Sequence, residues 1–149
     1  MISSLSNNIS FHTFKFSHIF AQRVDAGKST TMSIMTGLYD ASSGDVNLYG
    51  KSIKEQIGEC RQLIGLCPQQ NILFDNLTVM EHLTLFERLN GQSPTKDSII
   101  AKAEEVGLGD FLYTRSSKLS GGNKRKLCLG IALCGDKRVL ILDEPTSGE

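Results

Sequence analysis

The run Val139-Leu140-Ile141-Leu142 sets the tightest limit on what this chain can fold into. It is β-prone, apolar throughout and of strand length, and it stops abruptly at Asp143-Glu144-Pro145. A helical pattern precedes it, from Leu119 to Cys134, closed by Gly135. The same alternation recurs upstream. Gln62 to Cys67 reads as a short buried strand broken by Pro68-Gln69-Gln70, and Asp45 to Gly50 alternates with Val46 and Leu48 on one side. Thr78-Val79-Met80-Glu81 has the form of a capping box. Met80, Leu83, Phe86 and Leu89 then follow at helical spacing, with a stop at Asn90-Gly91. Ser93-Pro94 opens a further helix through Ile99, Ile100 and Ala103 to Gly107. Strands alternating with helices predict an α/β fold with a mainly parallel sheet flanked by helices.

Bulk properties narrow the function. A chain of 149 residues is long enough for one domain with a substantial core. Lys+Arg 16 balance Asp+Glu 16, so charge points to neither nucleic acid nor an anionic membrane as partner. No apolar run reaches the roughly 18 residues of a membrane span. Cys60, Cys67, Cys128 and Cys134 form no C-x-x-C pair and do not cluster with His12, His18 or His82, which argues against zinc. Cys67, Cys128 and Cys134 sit among apolar neighbours, as buried thiols of a reducing compartment do. Residues 1–20 are rich in Ser, Asn and Phe and lack the basic and apolar regions of a secretory signal. Phe14, Phe16 and His18 alternate with Lys15 and Ser17 as a short strand does, while Phe16 to Ala21, where the strand feeding a phosphate loop is expected, is a poor apolar run.

Three stretches carry chemistry. Gly27-Lys28-Ser29 matches the end of a phosphate loop, G-x-x-x-x-G-K-[ST], and a helical pattern (Met32, Ile34, Met35, Leu38) follows it. In such a loop backbone N–H groups cradle phosphates, Lys28 reaches the β- and γ-phosphates and Ser29 holds Mg²⁺. The first glycine of the pattern is replaced by Gln22, and Asp25 stands where a further glycine is common. A non-glycine residue forced into a glycine conformation costs about 1–3 kcal/mol. A carboxylate about 4 Å from a phosphate charge costs about 4 kcal/mol at an effective dielectric near 20. Together these predict nucleotide binding weakened by a few orders of magnitude. Leu119-Ser120-Gly121-Gly122-Asn123 is the second stretch: Ser120 is an N-cap type, and Gly121 and Gly122 let a ligand approach bare backbone at a helix N-terminus. Read alone, it is equally a glycine-rich turn before an amphipathic helix. Asp143-Glu144 is the third, suited to Mg²⁺ at Asp143 and to activation of a water by Glu144. Gln69, at a strand exit, either bridges metal and water or satisfies a turn.

Together these residues resemble the nucleotide-binding domain of an ATP-binding cassette transporter, from about Ala26 to Gly148. Gly27-Lys28-Ser29-Thr30 is similar to the Walker A core, Gln69 to the Q-loop, Leu119 to Asn123 to the signature motif, and Val139 to Glu144 to the Walker B strand. Cys67 to Asp75 and Leu119 to Leu127, with Asn123 where many cassettes have Gln, resemble the A subfamily, many of whose members move lipids. The resemblance implies a P-loop NTPase fold with a helical signature-motif subdomain at about 71–125, inside a partial cassette at 22–149. Residues 1–21 form a non-matching N-terminal segment. It also implies two cassettes that sandwich two ATP molecules. Ser120, Gly121 and Gly122 would serve a nucleotide held by the partner cassette. Gly27, Lys28, Ser29, Thr30, Gln69, Asp143 and Glu144 would serve the one held here, with Mg²⁺ at Ser29, Gln69 and Asp143.

The implied function is ATP binding and hydrolysis that powers transmembrane transport, at the cytoplasmic face of a membrane through transporter domains outside this chain. No role for nucleic acid is implied. The adenine-stacking aromatic residue, the D-loop aspartate and the switch histidine of the family have no counterpart here, so a cassette incomplete at both ends is expected. The strand that in this fold lies between the phosphate-loop and Walker B strands is also missing, which predicts unpaired backbone between them. Two other functions compete. One is a hydrolysis-deficient interaction module, motivated by Gln22 and Asp25. The other is a soluble cassette ATPase, but the interval from Lys28 to Ser120 holds no heptad array of the kind expected in the DNA-repair members.

Overall fold

In the computed structural model the described residues are 18–22, 33–40, 42 and 44–143. Their elements in chain order are β1 (His18–Gln22), β2 (Asn47–Leu48), β3 (Lys51–Ser52), α1 (Ile57–Leu63) and β4 (Ile64–Cys67). Then come α2 (Val79–Leu89), α3 (Lys96–Glu105), two short 3₁₀ turns (Gly109–Phe111 and Ser116–Lys118), α4 (Gly121–Ala132) and β5 (Val139–Asp143). Residues 33–35 are also helical.

Three strands form a parallel sheet in the order β1-β5-β4. β5, the apolar run of the sequence, is its centre. Val139 and Ile141 pack into a cluster with Met35, Leu48, Ile53, Cys60 and Ile64 on one face. Leu140 and Leu142 pack on the other face among Cys67, Leu83, Leu127 and Cys128, within the larger cluster that α2, α3 and α4 build. A strand covered on both faces has no polar side, which is why its sequence shows no alternation.

Close contact between α4 and the sheet depends on Gly65, because a Cβ there would collide with the Ala132 carbonyl oxygen. The capping box is formed as the sequence predicts: Glu81 N–H donates to Thr78 Oγ1 at 3.2 Å and Thr78 N–H donates to Glu81 at 2.7 Å. α3 likewise starts at an N-cap, Thr95, whose hydroxyl accepts from Ser98 N–H. All four cysteines are buried and unlinked. Burial pushes the Cys128 thiol up to about 11 and the Cys134 thiol up to about 12.

Two readings need correction. Gln62 and Leu63 are not strand but the end of α1, and β4 begins at Ile64. Within α1, Ile57 and Cys60 turn toward the same apolar cluster three residues apart, a pattern too short to stand out beside the apolar run to Cys67. β1 and β5 are not separated by a gap. They pair directly, from His18 with Val139 to Gln22 with Asp143, so the ladder supplies the partners that a missing strand would have left wanting.

Candidate functional site

Because the three strands are parallel, their carboxyl ends share one edge. Gln22 lies in register with Asp143, and Cys67 with Leu142. In open parallel α/β sheets ligands bind outside this edge. At this edge the end of β1, Gln22, therefore lies beside Asp143 at the end of β5. Gln69 follows the end of β4 by two residues and is exposed. Gly27, Lys28, Ser29, Thr30 and Glu144 lie outside the described residues, as does Asp25.

The Leu119 to Asn123 stretch opens α4. Ser120 is its N-cap and accepts a hydrogen bond from Asn123 N–H at 3.2 Å. Gly121 and Gly122 are exposed, and a Cβ built at either would meet nothing within 4 Å. Among the described residues, packing thus does not demand glycine at either position. A glycine inside a helix costs up to about 1 kcal/mol relative to alanine, and both leave the backbone of the first turn open to an outside group.

Arg125 joins these parts. Its Nη1 donates to the Pro68 carbonyl and to the Gln69 carbonyl (3.2 Å), and its Nη2 donates to the Asp143 carbonyl (2.8 Å). One guanidinium on α4 thus holds the exits of β4 and β5. Sequence reasoning overlooked it, since nothing in Lys124-Arg125-Lys126 sets the middle residue apart.

The chain beyond Gln69 is held by His82, which is fully buried on α2. His82 Nε2 accepts from Phe74 N–H at 3.0 Å, so the ring proton is on Nδ1, facing the Thr78 carbonyl at 2.8 Å. Ser116 adds a second clamp, donating its hydroxyl to the Phe74 carbonyl and its N–H to the Leu77 carbonyl, each at 2.9 Å. This role for His82 was also missed. The only sequence signal was an unpaired histidine in the core-facing pattern of α2.

Burial pushes the His82 pKa below its ordinary 6.5, against the opposing pull of the Thr78 carbonyl and Glu81. The unfolded ring therefore takes up a proton that the folded ring resists. The contribution of His82 to stability is complete above about pH 6.5 and declines as pH falls below it. Urea unfolding at pH 7.5 and 5.5 checks this: the loss on acidification should be smaller in His82→Gln, which can still accept from Phe74 but does not titrate. An equal loss in both proteins refutes the assignment.

The described part of the site suits a magnesium-bound nucleoside triphosphate. Asp143 offers a hard carboxylate at the strand edge, as Mg²⁺ prefers, and Gly121-Gly122 offer unobstructed backbone for phosphate. No cluster of three or more His, Cys, Asp or Glu capable of holding a metal ion occurs among the described residues.

The family model described as ABC transporter matches residues 25–147. Phospholipid-transporting ATPase ABCA3 of Rattus norvegicus is 48% identical over 125 residues, covering 83% of this chain and 7% of that protein. Retinal-specific phospholipid-transporting ATPase ABCA4 of Bos taurus is 44% identical over 143 residues, 95% of this chain and 6% of that protein. ABC transporter A family member 4 of Dictyostelium discoideum is 42% identical over 147 residues, 95% of this chain and 9% of that protein. The chain thus spans less than a tenth of each of these relatives. Among solved structures, an ATP-binding subunit of an ABC transporter superposes with a TM-score of 0.71 at 26% identity, covering 88% of this chain and 55% of that one. The fold is shared at 22% identity with an ABC transporter ATP-binding protein from Pyrococcus furiosus, with a TM-score of 0.73 over 87% of this chain and 62% of that one.

Proposed function

We propose, from the premise that this chain belongs to the ABC transporter family, that it binds and hydrolyses ATP as part of a transporter's nucleotide-binding domain. The cargo we propose is lipid, because the A-family relatives named above include phospholipid-transporting ATPases. The observation that carries the reading is the pair of exposed glycines, Gly121 and Gly122, which packing among the described residues does not require.

In this reading residues 22–149 form the cassette portion, with a helical subdomain at about 71–125, and residues 18–21, expected outside it, join its sheet as part of β1. Gly27, Lys28, Ser29 and Thr30 receive the phosphates of the nucleotide held here. Ser29, Gln69 and Asp143 would hold Mg²⁺, which would offset the charge of the phosphates. Glu144 takes the proton of the attacking water while Gln69 orients that water. Ser120, Gly121 and Gly122 receive the phosphates of a nucleotide held by a second cassette. No described helix is long and apolar enough to cross a membrane. Transmembrane domains outside this chain provide the membrane link, with the cassette at the cytoplasmic face.

Thermal unfolding of the full chain with and without Mg-ATP tests the binding step. At a free ligand concentration of 100 times Kd, stabilisation is about 2.7 kcal/mol. A clear upward shift with Mg-ATP, absent with Mg-AMP, is expected. No shift up to millimolar Mg-ATP sinks nucleotide binding and favours the interaction module that Gln22 and Asp25 motivate.

A further inference from the structure

We infer that Arg125 is a positioning residue that sets Gln69 and Asp143 together, and that it ties their placement to the first turn of the signature helix. The inference rests on the ATPase reading above. It adds a link between the face of this chain that serves a partner's nucleotide and the residues that serve its own.

The geometry is specific. A guanidinium is planar, with five N–H donors in a fixed fork. The Arg125 fork reaches the carbonyls of Pro68, Gln69 and Asp143 from two of its nitrogens. Those carbonyls belong to the exits of two neighbouring strands, β4 and β5. Because the donors cannot move independently, the separation between the backbones of Gln69 and Asp143 is set by one rigid group. A lysine in its place would supply the charge but not the fork.

The fork is mounted on α4, four residues beyond Gly121. At 1.5 Å of rise per residue, that is about 6 Å along the helix axis. Between these points α4 is continuous helix, so its first turn and the Arg125 anchor shift or rotate as one body. Contact at Ser120, Gly121 and Gly122 therefore bears on Gln69 and Asp143 through Arg125, beside the packing of α4 on the sheet. The three carbonyls are main-chain groups of the segments that carry Gln69 and Asp143. Arg125 thus acts through others, and its removal should slow turnover more than it weakens binding.

Steady-state phosphate release by the full chain, with Arg125→Met and Arg125→Lys alongside the unaltered protein, tests this. Arg125→Met should lower kcat at least tenfold, with KM for ATP changed less than threefold. Arg125→Lys should recover only part of that loss, and the Hill coefficient for ATP should fall toward one in both variants. If Arg125→Met keeps kcat within twofold of the unaltered protein, the inference is overturned while the ATPase reading stands. Should Arg125→Met fail to fold, Arg125→Lys decides alone: full kcat with an unchanged Hill coefficient overturns the inference, and reduced kcat at unchanged KM supports it. If the unaltered protein neither binds nor turns over ATP, the ATPase reading fails first and this inference with it.

Discussion

Replacing Glu144 with glutamine is expected to slow ATP turnover by about 10²–10⁴-fold while leaving nucleotide binding within a few-fold. Glu144 directly follows the last residue of β5, whose carboxyl end lies beside those of β1 and β4. A glutamine keeps the size of the side chain and still hydrogen-bonds to water, but it cannot take the proton that the attacking water must lose. Binding should survive because the proposed phosphate contacts come from Lys28, Ser29 and the backbone. Phosphate release under saturating Mg-ATP, measured beside equilibrium binding of a labelled analogue, separates the two effects. Unchanged turnover removes Glu144 from the role of base. A parallel loss of binding assigns it to holding the nucleotide instead.

The second large effect is on stability. Lys102→Met should cost about 3 kcal/mol, the lower end for breaking a buried ion pair. Lys102 Nζ lies 2.8 Å from Glu87 Oε1, and the Glu87 side chain is only 9% exposed against 20% for Lys102. The same ammonium donates to the Leu133 carbonyl at 3.2 Å, and Gly135 N–H donates to the other Glu87 oxygen at 3.1 Å. One pair thus fastens α2 and α3 to the chain that leaves α4. Met fills the space of the lysine stem but takes the ammonium away from a carboxylate that is only 9% exposed. The double variant Glu87→Leu/Lys102→Met should be less destabilised than Lys102→Met, because no unpaired charge remains. Urea unfolding of the full chain measures all three. A cost below about 1 kcal/mol for Lys102→Met would mean that the pair behaves like an exposed surface bridge.

Much of the fold was legible in the residues, for identifiable reasons. Val139 to Leu142 announced a buried strand because burial on both faces removes every polar position. Thr78 and Glu81 announced a helix start because the two reciprocal bonds need those residue types at that spacing. α1 was harder, because its last residues run without a break into β4 and the apolar count favoured one strand. The turn between β2 and β3 was hidden for another reason. Tyr49 and Gly50 both take positive φ (52° and 81°), as hairpin turns of this kind demand, and tyrosine is an uncommon residue there.

The candidate site was legible as chemistry but not as assembly. Gln69, Asp143 and Ser120 could be chosen by type and spacing. Arg125 could not, because its partners are backbone carbonyls far away in sequence, and carbonyls carry no sequence signature. His82 was silent for the same reason, since it is aimed at the Phe74 amide and the Thr78 carbonyl. The direct pairing of β1 with β5 was misjudged, because ladder partners depend on which strands are at hand, a property of the whole chain.

The alternation along β5 has a mechanical consequence. Val139 and Ile141 are rooted in one apolar cluster while Leu140 and Leu142 are rooted in the other. The strand cannot be drawn out of the sheet without opening both clusters at once, so neither can soften independently around it. Asp143 is the last residue of this doubly anchored beam. A carboxylate mounted there has its main chain fixed for as long as the domain stays folded, and helix α4, tied to that main chain by Arg125, is referenced to the same beam.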